Sequence, residues 1–101
     1  MITSDHSNSW PNVVHRAILC ELHGYIDHTI IDQVVIYSTS KFDFAITIDD
    51  DGTVSASYAI QKEEPFRFHR FICIVAEGDL VNLHILKLFI QDIQTEEAWK
   101  N

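Results

Sequence analysis

Glycine and proline are scarce in this chain, with three Gly and two Pro among 101 residues, and that excludes collagen-like, low-complexity and largely disordered classes. Cysteine is equally sparse. Cys20 and Cys73 stand alone, without pairing motif or metal-type spacing, so the chain is no disulfide scaffold and suits a reducing compartment. Each lies in an apolar stretch, and both are expected to be small buried hydrophobes. No apolar run approaches the roughly 20 residues needed to span a bilayer. Met1 to Trp10 lack the basic start and apolar core of a secretory leader. These absences lead to the expectation of a soluble cytoplasmic protein that makes no use of a membrane.

Positive charge is also in short supply. Seven Lys and Arg against fifteen Asp and Glu give a formal charge of -8 and a pI near 4.9, which works against phosphate binding and makes nucleic acid an unsuitable partner. The same field draws the molecule toward basic surfaces, although it also serves solubility alone. At 11.6 kDa and 47% hydrophobic residues, the chain can build one core but has little depth for an enclosed chamber, so any cleft is expected to be shallow.

The usual signatures of chemistry are missing as well. The glycines stand singly at positions 24, 52 and 78, leaving no phosphate-cradling loop and no serine nucleophile elbow. His6, His15, His23, His28, His69 and His84 include no pair four apart on an expected helix. His15 and His23 share a helical face but lie about 12 Å apart along the axis, too far to hold one ion. Asp49-Asp50-Asp51-Gly52 opens like a calcium loop, yet Ile60 stands where that loop requires a bidentate Glu, and hairpin turn chemistry accounts for the acids. No metal site and no cofactor are expected. Cys20 with His23, neighbours at i and i+3 on a helix, is the one nucleophile and base that can be nominated, although an isolated Cys and His in an apolar helix is more often packing. No catalytic set emerges otherwise. Asp32, Glu63-Glu64 and Glu96-Glu97 are expected to be solvated acids, and Arg67, His69 and Arg70 to pair with nearby acids.

What the sequence does contain is periodicity. Residues 1–9 are polar and aperiodic, and are expected to be mobile; residues 10–101 are expected to form one domain. From Pro11, Val14, Ala17, Ile18, Leu22 and Tyr25 recur at helical spacing, with Ser9 or Asn12 as N-cap and Gly24 as stop. Thr29 to Tyr37 is β-branched and reads as one strand. Phe42 to Ile60 predicts a hairpin with a three-residue loop, Asp50-Asp51-Gly52, and glycine in the left-handed position. That loop sets Phe42, Phe44, Ile46 and Ile48 opposite Ile60, Tyr58, Ala56 and Val54, gathering the apolar residues on one face. A two-residue loop would split them. Phe66 to Ala76 predicts a central or bulged strand, because its apolar positions change parity after Phe68. Asp79 caps a final helix from Leu80 to about Trp99, with Asn82, His84, Lys87, Gln91 and Gln94 or Thr95 as a polar stripe beside a wide apolar face. The rival reading makes Val81 to Ile90 a further strand.

The resulting fold is α+β: an N-terminal helix, an antiparallel meander of about four strands, and a C-terminal helix packed on one sheet face. The hairpin's other face carries Ala45, Thr47, Ser55, Ser57 and Ala59, edged by Asp43, Asp49, Asp50 and Asp51, a flat acidic platform that another surface can approach closely. Trp99 is a candidate anchor on the final helix. The favoured function is a non-enzymatic protein-binding module that docks on a basic protein partner and inhibits or escorts it, in the size and charge range of toxin-neutralising immunity proteins and small secretion chaperones. The alternatives are a homodimer joined through the C-terminal helix and a small enzyme using Cys20 and His23.

Overall fold

A computed structural model describes residues 9–71 and 73–100, with side chains through Glu96. Helix α1 spans Trp10–Glu21 and helix α2 Leu80–Lys100; between them run β1 (Tyr25–Ile31), β2 (Val34–Thr39), β3 (Phe42–Ile48), β4 (Val54–Ile60) and β5 (His69–Arg70). The strands form one antiparallel sheet in chain order, β1-β2-β3-β4-β5. The fold is α+β, a meander framed by two helices.

The expected hairpin appears in the register that apolar alternation dictates. Phe42 pairs with Ile60, Phe44 with Tyr58, Ile46 with Ala56 and Ile48 with Val54. Gly52 has φ +85°, and Asp49 N–H reaches Thr53 O at 2.9 Å to close the three-residue loop. One face of this hairpin therefore enters the core, where Phe44, Ile46 and Val54 are fully buried.

Val14 and Ile18, one turn apart on α1, and Leu83, Leu86 and Ile90 of α2 join the same cluster as Tyr37, Phe44 and Ile46. Both helices consequently cover one side of the sheet. Each such side chain contributes roughly 1.5–3 kcal/mol by leaving water. Asp79 caps α2 as expected, accepting the Asn82 N–H at 3.0 Å, and the rival strand over residues 81–90 does not form. Ser9 occupies the N-cap position of α1, but its side chain makes no cap bond.

Four expectations are corrected. The single strand over Thr29 to Tyr37 is two strands, folded at Asp32-Gln33; Asp32 adopts φ +53°, which a short polar side chain tolerates. Tyr25 belongs to β1, because α1 stops at Glu21 and the chain reverses through Gly24. Phe66 to Ala76 is neither central nor continuous. Among the described residues it lies at the sheet edge, pairs at His69–Arg70, where the Phe71 N–H also donates to Ala56 O at 2.9 Å, and meets β4 again at a Val54–Val75 bridge. The parity change falls where pairing begins: Phe66 and Phe68 precede β5 and stay exposed, whereas Phe71 and Cys73 follow it and pack on the core. Finally, Cys20 is exposed and Cys73 only half-buried, since Cys20 lies on the side of α1 that turns away from Val14 and Ile18.

Candidate functional site

Strand alternation sends Asp43, Ala45 and Thr47 to the side opposite the helices, and the pairing aligns them with neighbours into rows. One row runs Asp27, Ser38, Asp43, Ala59; the next Thr29, Ile36, Ala45, Ser57, Arg70; the third Ile31, Val34, Thr47, Ser55. Among the described residues no helix or strand covers this face. Apart from Asp27 and Asp43 at one end and the exposed Arg70 at the β5 border, its side chains are small or β-branched, so the surface is shallow, with Ser55 and Ser57 half-buried at its middle. Ala59, expected on the platform, is fully buried, which closes it at one corner.

The acids bracket this face rather than form one edge. Asp43 and Asp49 are separated by six strand positions, about 20 Å at 3.3 Å per residue. Asp27 and Asp43 therefore mark one end, and Asp49, Asp50 and Asp51 the other, at the β3–β4 loop. Gln61 donates to Asp43 at 3.3 Å and Gln33 donates to Asp50. The Thr53 N–H, 3.0 Å from Asp51 Oδ1, holds the Asp51 carboxyl below the usual carboxylate range. The loop itself is fixed by Trp10, whose indole N–H donates to Gly52 O at 2.7 Å. The charges thus project from an anchored turn.

Trp99, the expected anchor, has its side chain outside the described residues. The rest of α2 divides its apolar surface in two. Leu83, Leu86 and Ile90 enter the core, while Val81, Ile85 and Leu88 repeat at i, i+4 and i+7 on the outer side, Val81 at 72% exposure. The polar stripe beside them is not simply solvated. Gln94 is buried and binds the end of α1: its amide donates to Glu21 O at 2.7 Å and accepts the His23 N–H at 2.7 Å. Lys87 and Gln91 meet the Glu21 carboxylate from the same side.

Cys20 and His23 lose the geometry that paired them. His23 lies past the last residue of α1, so the i to i+3 relation does not apply, and no hydrogen bond joins the two among the described residues. His69 does pair with Glu63, at 2.8 Å. Asp32 is exposed at the tip of the β1–β2 turn. An open cleft of about 200 Å³ is lined by His23, Gly24, Ser40, Lys41, Phe42 and Gln94; it is smaller than ordinary small-molecule pockets, which run from about 300 Å³ upward. Among the described residues no three His, Cys, Asp or Glu side chains converge on a point where an ion could be held.

Sequence reasoning missed one cluster. His15 of α1 bonds the Tyr37 hydroxyl at 2.8 Å, Tyr25 bonds His28 Nδ1 at 2.6 Å, and the two imidazoles lie 5.3 Å apart. Burial pushes the Tyr37 hydroxyl up to about 12. Burial, and then His28, lower His15. The cluster is a joint between α1 and the first hairpin. Its signal was the His28–Tyr37 pairing, which becomes readable once the turn at Asp32-Gln33 is known. No family model, curated protein or solved structure matches the chain.

Proposed function

We propose that this chain is an acidic protein-binding module that docks on a basic protein partner and inhibits or escorts it. The observation that carries the reading is the sheet face opposite the helices, uncovered among the described residues, shallow at Ala45, Thr47, Ser55 and Ser57 and bracketed by Asp43 and Asp49–Asp51. Its chemistry fits recognition rather than catalysis. Small side chains allow close approach, and acids at both ends attract lysine or arginine from a distance and fix orientation on arrival. Ile31 and Ile36 add apolar area beside the hairpin.

The test is capture of a basic protein by tagged material at low and moderate salt, repeated with Ser57→Arg. A cationic partner retained at low salt, lost as salt rises, and lost with Ser57→Arg supports docking on this face. Retention unchanged by salt and by the substitution overturns it. A second reading, self-association through α2, rests on the outward Val81, Ile85 and Leu88 stripe; an Ile85→Lys, Leu88→Lys variant that sediments as a monomer from a dimeric parent would support it.

A further inference from the structure

Two edges bound the sheet. At one, β5 contributes only His69 and Arg70, whereas at the other β1 offers seven residues, Tyr25 to Ile31. Exposed edges are normally protected by shortness, proline, charge or a bulge. Strand β1 has neither lysine nor proline; Asp27 is its one acid, and its bulge at Ile26 leaves Asp27 to Ile31 in regular pairing. Four of its side chains are large, apolar and exposed: Tyr25, Ile26, Ile30 and Ile31, with Ile26 at 68% and Ile30 at 67%.

The pairing also identifies which backbone groups the sheet itself leaves unpaired. Ile31 and Val34 flank a two-residue turn, so their backbone groups face each other, and antiparallel alternation then turns Thr29 and Asp27 toward β2 as well. The Ile48 N–H to Gln33 O bond, 3.1 Å, gives the complementary alternation on β2. His28 and Ile30 therefore aim their N–H and C=O groups away from the sheet, where the His28 N–H is met by Oδ1 of the neighbouring Asp27 at 2.7 Å, a local contact that a partner strand would replace.

We infer that the β1 edge pairs antiparallel with β1 of a second copy about a two-fold axis at His28, joining two five-stranded sheets into one. The strand is self-complementary about that residue. With His28 opposite itself, Ile26 falls opposite Ile30 and Asp27 opposite Thr29. Ile26 and Ile30, the most exposed apolar side chains of the strand, meet once on each side of the axis, and no carboxylate faces a carboxylate. The register is selective. An outward-facing residue can bond only to another outward-facing one, so the next allowed pairing shifts by two and sets Ile31 against Asp27 and Ile26 against Asp32. Cross-strand apolar pairs favour the first.

Sedimentation combined with amide exchange separates this contact from the α2 stripe and from an unpaired monomer. In the dimer the His28 and Ile30 amide protons exchange at least about tenfold more slowly in concentrated than in dilute protein, as binding to one state requires. The Ile26→Lys, Ile30→Lys variant, changed only at exposed positions, should keep the parent's circular dichroism and melting temperature at dilution while sedimenting as a monomer. An Ile85→Lys, Leu88→Lys variant should remain dimeric. A wild-type chain that is monomeric at every concentration, or a dimer that survives the β1 substitutions, overturns the inference, as does a dimer whose His28 and Ile30 amides gain no protection. None of these outcomes depends on whether the open sheet face binds a basic partner.

Discussion

Gly52 meets two demands at once. Its φ of +85° lies in the left-handed region, and a Cβ there would stand 2.6 Å from Glu77 Cβ. Gly52→Ala is therefore expected to destabilise the fold by about 1–3 kcal/mol, read as a lowered urea midpoint with unchanged slope. His15 makes a pH-dependent contribution. Its folded pKa lies below the ordinary value of 6.5, so folding favours the neutral ring; that contribution is complete above pH 6.5 and is lost as pH falls through the lower folded value. Melting temperatures of wild type and His15→Gln should diverge in their pH dependence below about 6.5, and parallel curves through that window would dismiss the effect.

Among the elements, the contact between α2 and the end of α1 is the least conventional. Burying the Gln94 amide is tolerable because it accepts the His23 N–H and donates to Glu21 O and Ile90 O. Gln94→Leu strands the first two groups and should cost about 1–3 kcal/mol in chemical denaturation, against about 0.5 kcal/mol for Gln91→Ala on the exposed side. Sequence could not show this, because a glutamine in a polar stripe reads as solvated until the partner element is known. The β3–β4 hairpin was legible for the opposite reason: its alternation is strict and its Asp-Gly turn is specific. The β1–β2 hairpin was not, since Asp32-Gln33 lacks glycine and the flanking Ile30, Ile31, Val34, Val35 and Ile36 are apolar on both faces. The open face was half legible. Ala45, Thr47, Ser55 and Ser57 followed from hairpin register, while Thr29, Ile31, Val34 and Ile36 needed the missed turn to join them.

At the scale of the whole molecule, charge and shape are segregated. Helices and core occupy one side of the sheet, and the other carries acids about 20 Å apart at its ends. A surface of this kind acts on encounter more than on residence. Changing Asp49, Asp50 and Asp51 together to Asn should slow association with a basic partner about tenfold at low salt and leave dissociation nearly unchanged. Stopped-flow or surface-based kinetics at two ionic strengths would check this; an association rate insensitive to both changes would rule out steering.

The Gln94 contact also has a bearing on the order in which the chain becomes protein. The meander needs only neighbouring strands and can close as each one is completed, a low-separation process. The end of α1 must wait, because the side chain that satisfies Glu21 O and His23 N–H lies more than seventy residues downstream. On the ribosome the first helix is thus left open at its C-terminal end until Gln94 has emerged. A nascent chain halted before Gln94 should remain sensitive to protease at the α1–β1 junction, and one halted well beyond it should not.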